Sequence, residues 1–269
     1  MSGGIDNLQF VVGSRARREV LAALADSPAG RGEVLDGTAS SESSVYDAIN
    51  RLAERGLVHQ RGDDAWATTA AGQVIADAIA RCERTERTLA ADAEYWQRHD
   101  AAALPDAFRE EFAAIDGYEV VRSPDTDPYR ASRRVAEGIA SADCVSVITP
   151  VYHDRYAEAL NESSGADRRL VVTPDVLREV VEEEPPGPDD DGDVAVRVYD
   201  TAFAMVVSAE SLLLSFPTLD GSYDPHTEVV AETDAAIDWG GRLFEHVWER
   251  ATDVEAYVAD RYGEDALGG

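Results

Sequence analysis

Residues 41–72, SESSVYDAINRLAERGLVHQRGDDAWATTAAG, contain the pattern that decides the fold of the first part of this chain. The serines predict the start of a helix and Gly56 its end, because glycine adopts positive φ at a helix C-cap without steric cost. Residues 57–61 and 65–68 then predict two short strands joined by a turn at 62–64. A helix followed directly by a small hairpin is typical of a winged helix-turn-helix domain, which indicates double-stranded DNA as the partner.

The residues before this stretch complete the domain, for which we predict the bounds 8–72. Ser14 predicts the N-cap of a first helix that runs to Asp26, and a short second helix is expected at 32–36. In the third helix the apolar positions fall at helical spacing and form an inward stripe: Val45, Ala48, Ile49 and Leu52. The opposite stripe is polar and carries groups that can bond base edges and phosphates in a major groove.

Candidate DNA contacts follow from this arrangement. The third helix offers Ser41, Ser43, Ser44, Tyr46, Asp47, Asn50 and Arg51, the wing offers Gln60 and Arg61, and the first helix offers Arg15, Arg17 and Arg18. Arginines on the first helix are expected to contact phosphates, which position a protein rather than specify a sequence. Two alternatives stay open: Tyr46 packs beneath its helix, or the domain serves as a protein-interaction module.

The charge of the chain is extreme and uneven. Its 269 residues, enough for two domains, carry a formal net charge of −29, and all 24 basic residues are arginine. Acid-rich, lysine-free surfaces suit molar intracellular salt, so a halophilic archaeon is the expected source. Residues 1–100 carry 11 arginines against 16 acidic residues, whereas residues 101–269 carry 13 against 37. Because most acidic residues lie beyond residue 100, the net negative charge argues only weakly against DNA binding by residues 1–100.

Composition also excludes several functions. Without lysine there is no Walker A or Schiff-base lysine, and the sequence contains no G-x-S-x-G, H-E-x-x-H or C-x-x-C motif. Cys82 and Cys144 are isolated, which predicts buried or idle thiols and no metal site. We expect no catalytic residue and no cofactor. No signal peptide and no long apolar run are evident, so we expect a cytoplasmic protein.

Residues 69–99 predict one long helix, and we assign residues 73–103 to a linker and dimerisation segment built on it. Its apolar stripe comprises Val74, Ile75, Ala78, Ile79 and Cys82, continued by Leu89, Ala93 and Trp96. Such a stripe is longer than a small domain needs, so we expect it to pair with the same helix of a second subunit in a homodimer. The alternative is that it packs on the second domain.

Beyond Pro105, strand and helix patterns alternate, which predicts an α/β domain over residues 104–262 with parallel strand pairing. The predicted strands are 118–122, 144–149, 169–172, 194–199, 203–207 and 212–216. The last three follow one another without an intervening helix, and a hairpin between two of them is an open alternative. The predicted helices are 128–141, 151–162, 175–183 and 233–262. The acidic stretch 182–193 predicts a solvated loop. The whole chain is thus expected to be an α+β winged helix, a linker helix and an α/β effector domain.

The second domain resembles a known family. The residues that carry the resemblance are Leu104-Pro105, 143–150, Tyr156, 219–224 with its G-x-Y-D piece, 234–240, and 243–245 with the W-G-x-x-L-F piece around Trp239. Together they resemble the archaeal filament-formation regulator family of methanogens and haloarchaea. This resemblance implies a DNA-binding transcription factor with an effector domain. A more distant similarity, to archaeal sugar-sensing regulators, implies a phospholipase D-like fold without catalysis.

The residues themselves indicate where an effector would bind. Ligands collect at the carboxyl ends of strands in an open α/β sheet. The side chains expected there are Thr149, Tyr152, His153, Thr173, Tyr223, Asp224 and Trp239. Their hydroxyls, imidazole and rings suit a small polar or carbohydrate-like molecule. The alternatives are that Trp239 belongs to the core and that His153 is simply exposed.

Three functions follow as hypotheses. The first is a transcription regulator that binds DNA as a homodimer and senses a small molecule in its second domain. The second is a phosphodiesterase-like enzyme with a DNA-binding module, for which the acid–base candidates are His153, Asp154, Asp224 and His226. Asp224 and His226 would share a face if they lay in one strand. The third is a protein-interaction scaffold.

Overall fold

A computed structural model describes residues 3–62, 64–163, 167–183 and 194–262. The chain divides into two compact units, Met1–Glu86 and Arg87–Gly269, which we call the amino-terminal unit and the carboxy-terminal unit. The division falls inside one helix, so the predicted linker segment 73–103 is shared between both units. No helix in the described ranges is long and apolar enough to cross a bilayer.

The amino-terminal unit contains five helices and a three-stranded sheet within its described residues. The helices are α1 (Gly3–Val12), α2 (Arg15–Asp26), α3 (Arg31–Asp36), α4 (Glu42–Glu54) and α5 (Ala70–Ala91). The strands are β1 (Ala29–Gly30), β2 (Val58–Arg61) and β3 (Ala65–Thr68), in the antiparallel order β1-β3-β2. The apolar stripe of α4, with Val45 and Ile49 fully buried, packs on α2 to form the core of this unit.

Local signals account for most of this unit. The Ser14 hydroxyl accepts from the Arg17 backbone N–H and caps α2, and the Ser41 hydroxyl accepts from Ser44 N–H and caps α4. Gly56 ends the turn after α4 at φ 68°. Two elements are absent from our prediction. Helix α1 begins before the predicted bounds of the domain, and β1 is only two residues long and pairs with β3.

The predicted long helix 69–99 is confirmed as far as Ala91 and is wrong beyond it. Helix α5 ends at Ala91, and Asp92 adopts φ −146° and ψ 72°, outside the helical region. The Asp92 carboxylate accepts from the Tyr95 N–H and so begins a separate short helix, α6 (Ala93–Trp96). An acceptor side chain therefore satisfies the new helix start and stabilises the break.

The carboxy-terminal unit is built on an eight-stranded mixed sheet. In chain order its strands are β4 (Glu119–Arg122), β5 (Cys144–Thr149), β6 (Asp167–Val172), β7 (Val194–Val198), β8 (Ala204–Val207), β9 (Leu212–Ser215), β10 (Thr227–Ala231) and β11 (Thr252–Asp253). Their spatial order is β11-β7-β6-β5-β8-β9-β10-β4. The remaining helices are α7 (Asp106–Glu110), α8 (Arg130–Ala140), α9 (Asp154–Glu162), α10 (Pro174–Glu183), α11 (Asp234–Trp248) and α12 (Val254–Tyr262).

Strands β5 and β6 pair in parallel, as predicted for the alternating part of the chain, and β8 and β9 form a hairpin of the kind left open for the later strands, but the parallel pairing predicted for β4 is wrong. Only β5, β6 and β7 pair in parallel, and the remaining neighbours are antiparallel. Strand β10 was not predicted, because its short apolar run follows a turn rich in Gly, Asp and Pro and contains the glutamate Glu228. The predicted last helix is two helices, α11 and α12, separated by β11. Of the predicted acidic loop, residues 184–193 lie outside the described residues.

Helices cover both faces of the sheet. On one face α11 contributes Trp239, Leu243 and Phe244, all fully buried. On the other face α8 and α9 cover Val145, Val147 and Leu213 among other residues. Neither thiol enters a core: Cys82 and Cys144 are both free and exposed, so the alternative that they are buried is wrong.

Candidate DNA-binding surface and polar cluster

Helix α4 presents a polar face to solvent. Its exposed residues include Ser43, Ser44, Asp47, Asn50 and Arg51, and Ser41 at its N-cap is exposed as well. The Arg51 Nε donates to the Asp47 carboxylate at 2.9 Å, and this bond raises the pKa of Arg51. Gln60 and Arg61 lie exposed on β2. The structure therefore brings the predicted helix and wing residues to the surface of one compact unit.

Tyr46 is half-buried against the core of the amino-terminal unit, as the packing alternative expected. Above it lies Arg31, the first residue of α3, whose guanidinium carbon is 5.5 Å from the Tyr46 ring centroid and 5.4 Å from that of Trp66. The Arg31 Nη2 also donates to Asn50 Oδ1 at 3.3 Å. Arg31 was not among the predicted contacts, because its partners come from two other elements, α4 and β3.

The arginines of α2 differ in their availability. Arg15 is exposed and paired with Glu19 at 2.7 Å. Arg17 donates to the Phe10 carbonyl at 2.8 Å and stacks on the Phe10 ring, so it anchors α1. Arg18 lies 3.5 Å from the Glu83 carboxylate.

A small cluster of positive charge lies beside α4. Burial, and then the charges of Arg51 and Arg55, lower the pKa of Arg17, and the charge of Asp47 offsets part of this effect. Arg55 also stacks on Phe10, with its guanidinium carbon 4.1 Å from the ring centroid. Arg55, like Arg31, was not among the predicted contacts. It follows the last turn of α4, where a cation near the helix C-terminus is a common signal.

In the carboxy-terminal unit the predicted effector residues separate into groups. Thr149 donates to the Val151 carbonyl at 2.6 Å at the end of β5, and Thr173 is buried beside the start of α10. Tyr152 is half-buried against a small cluster that includes Val172 and Val176. Trp239 is fully buried in the core, as its alternative reading expected.

His153 and Tyr223 do come together, through Tyr156. His153 caps α9 by accepting from the Arg155 N–H at 3.2 Å, and its ring stacks on Tyr156 with centroids 4.6 Å apart. The Tyr156 and Tyr223 side chains lie close enough to influence each other's pKa, and Ser215 acts on that of Tyr223. Burial and the charge of Glu228 raise the pKa of Tyr223 to about 12. Both phenols are therefore neutral hydrogen-bonding groups.

Glu228 is the buried acid of this group, which we call the tyrosine–glutamate cluster: Tyr95, Tyr156, Ser215, Tyr223 and Glu228. Its carboxyl accepts from the Ser215 hydroxyl, and burial raises its pKa to about 8. The Tyr95 hydroxyl accepts from the Phe216 N–H at 3.4 Å, and burial raises its pKa also. Burial of an acid without a paired cation favours the neutral form.

Asp224 links the cluster to the segment after α6. Its Oδ2 lies 3.1 Å from His99 Nε2 and accepts from the Thr227 hydroxyl at 2.7 Å. The other ring nitrogen of His99 lies 2.8 Å from the Tyr95 carbonyl. Burial raises the pKa of Asp224, but hydrogen bonds from Thr227, the His226 N–H and His99 outweigh burial and hold this pKa below its ordinary value.

The geometry does not support the acid–base pairing that the enzyme hypothesis requires. Strand β10 begins at Thr227, so Asp224 and His226 lie in the preceding loop and do not share a strand face. Asp224 accepts from the backbone of His226 at 2.9 Å, and the His226 side chain is exposed. Within the described ranges no group of three or more His, Cys, Asp or Glu residues could hold a metal ion.

Comparison with known sequences finds similarity to a regulatory protein. Residues 128–250 match the family model described as "Methanogenesis regulatory protein FilR1, middle domain", and residues 5–90 match "HVO_A0261 N-terminal domain". The chain is 20% identical over 234 residues to the methanogenesis regulatory protein FilR1 of Methanothrix harundinacea (strain 6Ac). The match covers 79% of this chain and 50% of that protein, so the chain spans about half the length of this relative.

Solved structures resemble the chain only distantly. TrmBL2, described as an archaeal chromatin protein with a novel mode of DNA binding, is 15% identical, with 93% of this chain and 98% of that chain covered and a TM-score of 0.39. ZitR of Lactococcus lactis is 19% identical, with 37% and 68% covered and a TM-score of 0.26. The relationship with a regulator family therefore rests on the sequence matches.

Proposed function

We propose that the chain is a transcription regulator that binds double-stranded DNA through α4 and the β2–β3 wing. The observation that carries this proposal is the exposed polar face of α4 beside a guanidinium cluster, in a unit whose charge is nearly balanced. Arginines close to an exposed helix suit phosphate contacts, and amide and hydroxyl groups suit base edges. The sequence match to a regulatory protein supports the same function.

A double substitution tests the DNA surface. Arg51→Ala with Arg61→Ala should weaken binding to a promoter duplex at fixed salt and should flatten the dependence of log K on log salt by about two phosphate contacts. The matched control is Arg133→Ala with Arg178→Ala, because both arginines are half-exposed and paired with aspartates in the carboxy-terminal unit. If wild type and the Arg51/Arg61 variant bind with equal affinity, Arg51 and Arg61 do not contact DNA and the proposed role of α4 and the wing is wrong.

The proposed regulator is a homodimer, in which a two-fold axis relates the two copies of α4. Val74 and Leu89 support it, because they are exposed apolar residues on α5, 67% and 36% accessible. Sedimentation should therefore give twice the mass of the 29.1 kDa chain, and a footprint on DNA should be two-fold symmetric. A monomer at micromolar concentration with an asymmetric footprint would contradict this part of the proposal.

The carboxy-terminal unit is proposed to sense a small polar molecule at His153, Tyr156 and Tyr223. Stacked rings and neutral phenols offer the apolar surface and the few directed hydrogen bonds that small-molecule sites use. Tyr156→Phe should keep the fold and abolish any change in DNA affinity that an added metabolite causes in wild type. A phospholipase D-like ancestry of this unit and a haloarchaeal source stay predictions.

A further inference from the structure

Arg155 has no carboxylate partner among the described residues of a strongly acidic chain. By contrast, at least eight arginines of the carboxy-terminal unit lie within 4.0 Å of a carboxylate, for example Arg133 with Asp127 at 2.6 Å. The Arg155 Nη1 is shielded from solvent and donates to no acceptor in the part of the chain that the structure describes. Because residues 101–269 carry 37 acidic residues, this arginine is distinguished by its surroundings and not by a shortage of carboxylates.

An aromatic ring holds the Arg155 side chain in place. Arg155 is the second residue of α9 and is half-buried, and its guanidinium carbon lies over the ring of Tyr129, 5.6 Å from the centroid. Tyr129 is the N-cap residue of α8, so this contact joins the starts of two neighbouring helices. A cation over a ring is attracted to the π face and keeps its N–H groups for an acceptor.

A shielded guanidinium donor without an acceptor is unfavourable in a folded protein. Arginine stays protonated in proteins, so Arg155 cannot lose its charge to relieve the unfavourable burial. The shielded Nη1 loses its hydration and gains no hydrogen bond from the described residues in return. Buried polar groups are nearly always hydrogen-bonded, so an exception indicates a group that a bound molecule completes. The planar guanidinium fork matches the two oxygens of a carboxylate or a phosphate.

Arg155 belongs to the same segment as the proposed effector site. Its backbone N–H donates to His153 Nδ1 at 3.2 Å, and the His153 ring stacks on Tyr156 with centroids 4.6 Å apart. Burial raises the pKa of Tyr156, and the charge of Arg155 acts in the opposite direction. These residues follow the carboxyl end of β5, and ligands collect at the carboxyl ends of strands in an open α/β sheet.

We propose that Arg155 binds the oxyanion of the effector, so that the molecule sensed beside His153 and Tyr156 is a small phosphate ester or carboxylate. This proposal rests on the proposed function, because it names the chemical class of the ligand at the same site. The stacked rings would contact the uncharged part of the molecule, and Arg155 would fix its charged end. A neutral sugar would leave the shielded Nη1 of Arg155 without an anionic acceptor.

Thermal unfolding of the full chain with inorganic phosphate or acetate as the probe tests the anion site. At constant ionic strength in potassium chloride, one of the two probes should raise the thermal midpoint of wild type in a saturable manner, because an anion that binds only the folded state stabilises it. The probe with the larger effect tells a phosphate ester from a carboxylate. Arg155→Gln removes the charge and the fork, so it should bind that probe roughly tenfold more weakly.

The matched control is Arg133→Gln, which removes the same charge from the neighbouring helix α8. Arg133 already pairs with Asp127 at 2.6 Å, so this variant should keep the wild-type response to the probe. If Arg155→Gln does not fold, Arg155→Lys takes its place. Lysine keeps the charge and a long stem but lacks the planar fork, so this variant should also bind the probe more weakly than wild type.

Failure of this site and failure of the proposed function give different results. If neither probe raises the wild-type midpoint, or if the Arg155 variant responds as strongly as Arg133→Gln, the oxyanion site is wrong, whatever the affinity for DNA. If the probe response depends on Arg155 but the same preparation of wild type binds no promoter duplex, the anion site stands and the proposed regulator function is wrong.

Discussion

Substitution Glu228→Gln should change how the stability of the carboxy-terminal unit depends on pH. Burial raises the pKa of this carboxyl from 4.5 to about 8. The folded state therefore keeps the proton up to about pH 8, whereas the unfolded chain releases it above its ordinary value. Between these two pKa values unfolding releases a proton. The contribution of Glu228 to the free energy of unfolding is therefore fully present below about pH 4.5 and is lost as pH rises to about 8.

The size of the effect follows from the same two values. Each pH unit inside the window costs up to about 1.36 kcal/mol, so roughly 3–4 kcal/mol is lost between about pH 5 and about pH 8. Glutamine cannot ionise, and its amide can still bond to the Ser215 hydroxyl that contacts Glu228. The variant should thus differ little from wild type near pH 5 and exceed it by an amount on the order of a few kcal/mol near pH 8.

Urea unfolding of both proteins at constant ionic strength measures this difference. Glu119→Gln is the matched control, since Glu119 is an exposed glutamate on the neighbouring strand β4. Its effect should stay within about 0.5 kcal/mol and should not vary with pH. If the difference between Glu228→Gln and wild type is the same at both pH values, Glu228 is not held protonated and the burial argument fails.

Three further changes probe the fold and the cluster. Gly72→Ala would place a Cβ 1.9 Å from the Leu57 carbonyl oxygen, so urea unfolding should show a loss of roughly 2–4 kcal/mol. Gly32→Ala is the control, because a Cβ there would lie in open space on α3, and it should raise the free energy of unfolding by up to about 1 kcal/mol. Equal effects of the two glycine substitutions would contradict the predicted clash at Gly72. Ser41→Ala should lower the free energy of unfolding by about 1 kcal/mol, because it removes the cap of α4. An unchanged free energy in the same urea assay would show that the Ser41 hydroxyl does not stabilise α4. Asp224→Ala leaves three donors without their acceptor, so the thermal midpoint should fall and amide exchange in the 217–227 loop should rise; unchanged exchange would refute the anchoring role.

The amino-terminal unit was largely predictable because its signals are local. The caps at Ser14 and Ser41, the stop at Gly56 and the spacing of Val45 and Ile49 all act within one or two helical turns. Helix propensity and capping depend on neighbours in sequence, so reading the sequence can detect them. The predicted DNA contacts keep their surface positions, and their role stays a prediction until binding is measured.

What could not be predicted depends on distant partners. Arg31 meets Asn50 nineteen positions away, and the two rings beneath its guanidinium group come from the same helix, α4, and from β3. Glu228 reads as a polar residue that argues against a strand, yet the sheet buries it beside Ser215. The break at Asp92 looked like an ordinary exposed helix position, because aspartate caps a helix only where the chain has already turned. Tertiary context decides each of these cases.

The two exposed cysteines give the molecule a built-in pair of attachment points for dyes. Cys82 belongs to the amino-terminal unit and Cys144 to the carboxy-terminal unit, and both are free. Two maleimide fluorophores would therefore report the separation of the units without any engineered residue. Energy transfer in single molecules, with and without DNA, would then follow any rearrangement that accompanies binding. The absence of lysine removes competing side-chain amines, so labelling is confined to thiols and the chain's α-amino group.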